Sequence, residues 1–101
     1  MEIFIKGNCP YCLRLLRLLE RTDMTYEVHD VLEEKMYYDQ MIMLSRDGGV
    51  PQVKLENVII YDYDTESTLV DDIKKIMEHG PVDAQWMDDN TAKTRYVIMK
   101  T

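Results

Sequence analysis

Four residues, Cys9-Pro10-Tyr11-Cys12, stand where a β-prone run gives way to a helical one. Residues 2–6 read E-I-F-I-K, and Gly7-Asn8 marks a turn directly after them. Pro10 suits the first turn of a helix, where its missing N–H leaves no bond unmade. Beyond it Cys12, Leu15, Leu16 and Leu19 recur at helical spacing on one face, with Arg14, Arg17 and Arg21 on a mostly different, solvated face. This helix is expected to fade near Thr22-Asp23. A strand followed at once by a helix that opens on two cysteines confines the chain to a narrow set of folds.

Residues 26–31, Y-E-V-H-D-V, read as a second strand, with His29 taken as a solvated strand residue. Residues 32–44 read as a second helix, with Tyr37, Met41 and Leu44 on one face and the Met and Tyr content filling core gaps. Arg46-Asp47-Gly48-Gly49 is a loop. Residues 50–55 alternate as a strand with Pro51 at its very start, Glu56-Asn57 turns the chain, and residues 58–61 return antiparallel. Asp62 to Thr65 is polar and suited to capping a third helix, expected over residues 67–79 and stopped by Gly80-Pro81. The order β-α-β-α-β-β-α, with a parallel first pair and a later hairpin, implies a mixed four-stranded sheet flanked by helices, in the α/β class. Residues 1–80 form this unit. Residues 81–101 are a C-terminal extension containing Trp86 and a β-prone run at 94–99, whose place the pattern leaves open.

The chemistry rests on the cysteines. There are only two, too few for a disulfide framework, and the two histidines, His29 and His79, lack ligand spacing to them, so no metal site is expected. At the start of a helix, free backbone N–H groups and the positive end of the helix dipole favour a thiolate, so the Cys9 thiol is expected to ionise more readily than a free cysteine. Lys6 adds positive charge three residues earlier. Once Cys9 has formed a mixed disulfide, Cys12, one turn on, can attack it and release the product. Tyr11, between them, covers the sulfur or meets the substrate. A net charge of −7 argues against a nucleic-acid partner, and no apolar run approaches the ~20 residues of a membrane span. The first residues are not an apolar targeting segment, so a cytoplasmic location is expected.

A first strand, then C-P-Y-C, then a Leu-rich helix carrying arginine resembles glutaredoxin, a thiol–disulfide oxidoreductase of thioredoxin-like fold. V-P-Q-V at 50–53 resembles that family's V-P-Q-I segment, Y-E-V-H-D-V its second strand, and Lys6 a lysine many members carry. The resemblance implies that Cys9 is the nucleophile and Cys12 the resolving thiol. It implies a cis bond before Pro51, with Val50 offering its backbone to an extended substrate or to glutathione. It also implies Lys6, Tyr11, Asp64 and Thr65 as further substrate or glutathione contacts. Glutathione would recharge the enzyme as co-substrate, with no tightly bound cofactor, and the chain would act as a monomer. Its recipients would be disulfide-containing proteins; ribonucleotide reductase is one the family often serves.

The chain departs from the family around Tyr61-Asp62-Tyr63-Asp64, where many members have a glycine pair that lets glutathione approach the backbone. Gly49 replaces a common threonine, and Tyr38 falls near a position where Arg or Gln often meets glutathione, for which Arg46 is a candidate substitute. Two alternatives follow. One keeps the dithiol chemistry but draws electrons from a thioredoxin-reductase-type protein. The other is a redox-switched binding module that recognises a partner through residues 81–101.

Overall fold

Alternation of buried and exposed positions builds the sheet. In a computed structural model of the chain, which describes residues 1–63, 65–79 and 95–98, strand β1 (Glu2–Ile5) turns Ile3 to one face and Phe4 to the other, both fully buried. Helix α1 (Pro10–Glu20) crosses over to strand β2 (Glu27–Asp30), which pairs parallel with β1. Helix α2 (Lys35–Ser45) leads to strands β3 (Gln52–Leu55) and β4 (Val58–Tyr61), an antiparallel hairpin closed by Glu56-Asn57. Strand β3 pairs antiparallel with β1, and helix α3 (Glu66–His79) follows the hairpin. The mixed β2-β1-β3-β4 sheet with three helices is the expected thioredoxin-like arrangement. A further strand, β5 (Arg95–Ile98), lies antiparallel on β4, so the β-prone run of the tail extends the sheet by one strand. The remainder of the extension, including Trp86, lies outside the described residues, and Tyr96 and Ile98 are described by backbone alone.

Two apolar clusters flank the sheet. Leu15 and Leu19 of α1 and Leu69, Val70, Ile73 and Ile76 of α3 pack on Ile3, Val53, Leu55, Val58 and Ile60. On the other face Met41 of α2 meets Phe4, Val31 and Ile59. Each such side chain, fully removed from water, contributes about 1.5–3 kcal/mol.

Three expectations are corrected here. Helix α2 starts at Lys35, not residue 32, because the Asp30 carboxylate accepts the Leu32 and Glu33 N–H groups at 2.8 and 3.4 Å and holds them in a turn. Several α2 side chains read as core filling are exposed, Met36, Tyr38 and Met43 among them, because only one side of that helix meets the sheet. His29 is not solvated but 8% exposed. Its ring stacks on Tyr37 at 4.0 Å between centroids, and its Nε2 lies 3.1 Å from Glu2 Oε1.

Glu2 is the centre of a polar knot joining three strands, with Lys54 Nζ at 3.1 Å from its second oxygen and Glu27 also facing His29 at 3.8 Å. The donor atoms of Glu2, Glu27 and His29 lie within 4.8 Å of one another, but the Lys54 ammonium already neutralises the Glu2 carboxylate, so the group reads as an ion-pair cluster rather than a metal centre. Partial burial pushes the Glu2 carboxyl up, yet Lys54 and His29 together outweigh it and hold the group below its ordinary 4.5. A depressed carboxyl stabilises the fold above its unfolded value and loses that contribution as pH falls through the folded one. Glu2→Gln is therefore expected to cost about 0.5–1 kcal/mol at pH 7 and progressively less as pH falls below 4.5, measured by denaturant melts across that range.

Candidate functional site

Cys9 caps α1. Its backbone is extended (φ −96°, ψ 115°), Pro10 occupies the first helical turn, and the Cys12 N–H donates to Cys9 Sγ at 3.3 Å. The sulfur thus takes the place that a serine or aspartate oxygen occupies in an ordinary N-cap. A second anchor fixes the turn, since the Cys9 N–H donates to the Lys6 carbonyl at 3.1 Å. Cys9 is half-buried and Cys12 is 1% exposed, so one sulfur faces the surface and the other sits behind it. Burial, followed by the hydrogen bond and charge of Cys9, pushes the Cys12 thiol up to about 12, against a smaller opposing effect of backbone hydrogen bonds. Cys12 therefore stays protonated at neutral pH while it waits.

Across from the cysteines the Val50–Pro51 bond is cis, and the Cys9 thiol donates to the Val50 carbonyl at 3.9 Å. The loop before it is tied from behind by Gln52. This fully buried side chain donates to the Asp47 carbonyl at 2.7 Å and to the Gly49 carbonyl at 2.9 Å. An open cleft of about 250 Å³ lies against this loop, walled by Tyr11, Gly49, Val50, Pro51 and Tyr63. Three carboxylates, from Asp47, Asp62 and Glu66, also border it.

A sequence model of the glutaredoxin family matches residues 1–60, from the first strand through most of β4. The chain belongs to the glutaredoxin family. Comparison with curated proteins and with solved structures returned no significant match. Glutaredoxins are thiol–disulfide oxidoreductases, and the close Cys9–Cys12 pair at the start of α1 fits a C-x-x-C site of that kind.

Of the glutaredoxin site residues expected from sequence, Cys9, Cys12, Tyr11, Val50 and Pro51 come together. Tyr11 is 55% exposed at the rim of the cleft. Lys6 meets Cys9 through its backbone carbonyl. Thr65 borders a neighbouring groove between α1 and α3 instead of the cleft, and its hydroxyl accepts the Thr68 N–H at 3.1 Å to cap α3. That cap also explains why α3 begins at Glu66, one residue earlier than its apolar spacing suggested. Asp64 lies outside the described residues.

Two side chains were missed. Tyr63 lines the cleft and its hydroxyl is bonded to Glu66; burial first, then the charges of Glu66 and the cysteines, hold this phenol above its usual range, so it stays neutral. Glu66 in turn pairs with Arg14 at 3.6 Å, and the Arg14 guanidinium lies 5.4 Å from the centroid of the Tyr11 ring. A Tyr11–Arg14–Glu66–Tyr63 chain therefore rims the dithiol. Where the family has glycine, Asp62 adopts φ 47°, the left-handed conformation glycine takes freely and aspartate tolerates. Tyr63 follows this bend and lines the cleft.

Proposed function

We propose that the chain is a dithiol glutaredoxin that reduces protein disulfides or glutathione mixed disulfides, with Cys9 as nucleophile, Cys12 as resolving thiol and glutathione as the electron-donating co-substrate. The observation that carries this reading is the placement of Cys9 Sγ, half-exposed, at 3.3 Å from a helix N–H and 3.9 Å from the Val50 carbonyl. The thiolate of Cys9 attacks one sulfur of the substrate disulfide; the other sulfur leaves as a thiolate and takes up a proton. The Val50 backbone would hold the extended substrate, and Tyr11 would pack on it. Loss of the Cys9 negative charge in the mixed disulfide removes one of the effects that keep Cys12 protonated. Cys12 then gives up its proton, attacks Cys9 Sγ and expels the second substrate thiol, leaving a Cys9–Cys12 disulfide. Two glutathione molecules return two electrons and are oxidised to glutathione disulfide. Such an exchange suits a reducing cytoplasm.

A second reading differs in the electron donor. Tyr63 and the three bordering carboxylates leave less room, and a less welcoming field, for glutathione, itself an anion. Thioredoxin reductase would then recharge the dithiol. Turnover of a disulfide substrate is expected with glutathione and glutathione reductase and not with thioredoxin reductase. The reverse result selects the second reading, and no turnover with either removes both.

A further inference from the structure

We propose that the outer face of α1, with its groove against the start of α3, docks an acidic segment of the disulfide-bearing protein substrate, and that Arg17 and Arg21 set this preference. The proposal rests on the oxidoreductase reading above. Arg14, Arg17 and Arg21 are all exposed, and their spacing of three and then four residues lays them along one stripe of the helix. A groove of about 300 Å³ runs beside them, with Leu18 as its apolar wall and Thr65, Glu66 and Ser67 on its far side, the Glu66 carboxylate being taken up by Arg14.

The stripe is unevenly neutralised. Arg14 has Glu66 at 3.6 Å and the Tyr11 ring, whereas Arg17 and Arg21 have no acidic partner among the described residues. In a chain of net charge −7, an acidic partner is repelled by most of the surface and drawn to this stripe. The cleft beside Tyr11 carries Asp47 and Asp62, with Glu66 bordering both it and the groove. The dithiol thus sits between a negative cleft and a positive helix face, which orients an asymmetric substrate: its acidic part runs along α1. At ~1.5 Å rise per residue, Arg17 and Arg21 stand ~12 and ~18 Å along the helix from Cys9, which holds the substrate cysteine. An extended chain covers those distances in about four and five residues, so the acidic side chains belong about four to six residues from the substrate cysteine.

The test uses cyclic disulfide peptides identical except for three Asp, three Ser or three Lys residues at that distance from the cysteine. Reduction by the full chain is expected to be about tenfold faster in kcat/KM for the Asp peptide than for the Lys peptide at low salt, the gap shrinking as salt is raised. R17E/R21E is expected to erase or invert the gap while leaving reduction of 2-hydroxyethyl disulfide, small and uncharged, within about twofold. A cysteine-free Asp peptide, followed by fluorescence anisotropy, is expected to bind the wild type and not R17E/R21E. Binding without turnover of any disulfide would keep the docking surface and remove the oxidoreductase reading. Turnover of 2-hydroxyethyl disulfide with no Asp preference would overturn the docking surface, as would tighter binding of a single-stranded oligonucleotide than of the Asp peptide.

Discussion

Cys9→Ser is expected to lower disulfide reduction by roughly 10³-fold or more, because a serine hydroxyl does not ionise near neutral pH and no other exposed sulfur of a cysteine exists to replace it. Cys12→Ser has a different signature. The nucleophile remains, so Cys9 still attacks, but the mixed disulfide accumulates and reduction of protein disulfides stalls. A mixed disulfide between Cys9 and glutathione can still be opened by a second glutathione, so removal of glutathione from small mixed disulfides persists. Mass spectrometry of Cys12→Ser after exposure to substrate should find the trapped adduct on Cys9. Full activity of Cys9→Ser, or an adduct on Cys12 in the wild type, would reverse the assignment.

The second large effect concerns Gln52. Its amide is the only side-chain group described as reaching both the Asp47 and Gly49 carbonyls, and it does so from a fully buried position directly after Pro51. Gln52→Ala removes both hydrogen bonds and opens space in the interior, a cost of about 2–4 kcal/mol. For a domain near 100 residues this lowers Tm by roughly 10 °C or more. Activity should fall further than stability alone accounts for at a temperature where the variant is folded, because Val50 loses the support of the loop that precedes it. Gln52→Glu separates the causes. It keeps the shape but replaces the donating amide with an acceptor set against two carbonyls, so it should be at least as harmful as alanine. A Gln52→Glu protein with wild-type melting and turnover would show that the two bonds do not hold the loop.

Much of this architecture was written in short-range chemistry. Pro10 at the first turn, the sulfur of Cys9 as a cap and the apolar spacing of Cys12, Leu15 and Leu19 all act within one or two helical turns, so they could be read directly from neighbouring residues. The same holds for the Glu56-Asn57 hairpin. The juxtaposition of the cysteines with Val50–Pro51, 41 residues away from Cys9, was legible for another reason: two motifs of one family occurred in one chain in the family's order.

What could not be read depended on groups brought together from distant segments. His29 looked like a surface residue because its strand is short and polar; Tyr37, from the next helix, stacks on it, and Glu2, from the first strand, takes its Nε2. The place of Asp30 at the head of α2 depended on which amides its carboxylate reached. Tyr63 looked like a defect in a glycine motif, and only packing turned it into a wall of the cleft bonded to Glu66. Sequence order and local periodicity thus settled where the cysteine pair sits and which element presents it. The polarity, width and neighbours of the surface around that sulfur were settled by side chains converging across the folded molecule, since burial and Coulomb interaction depend on distance in space and not on separation along the chain.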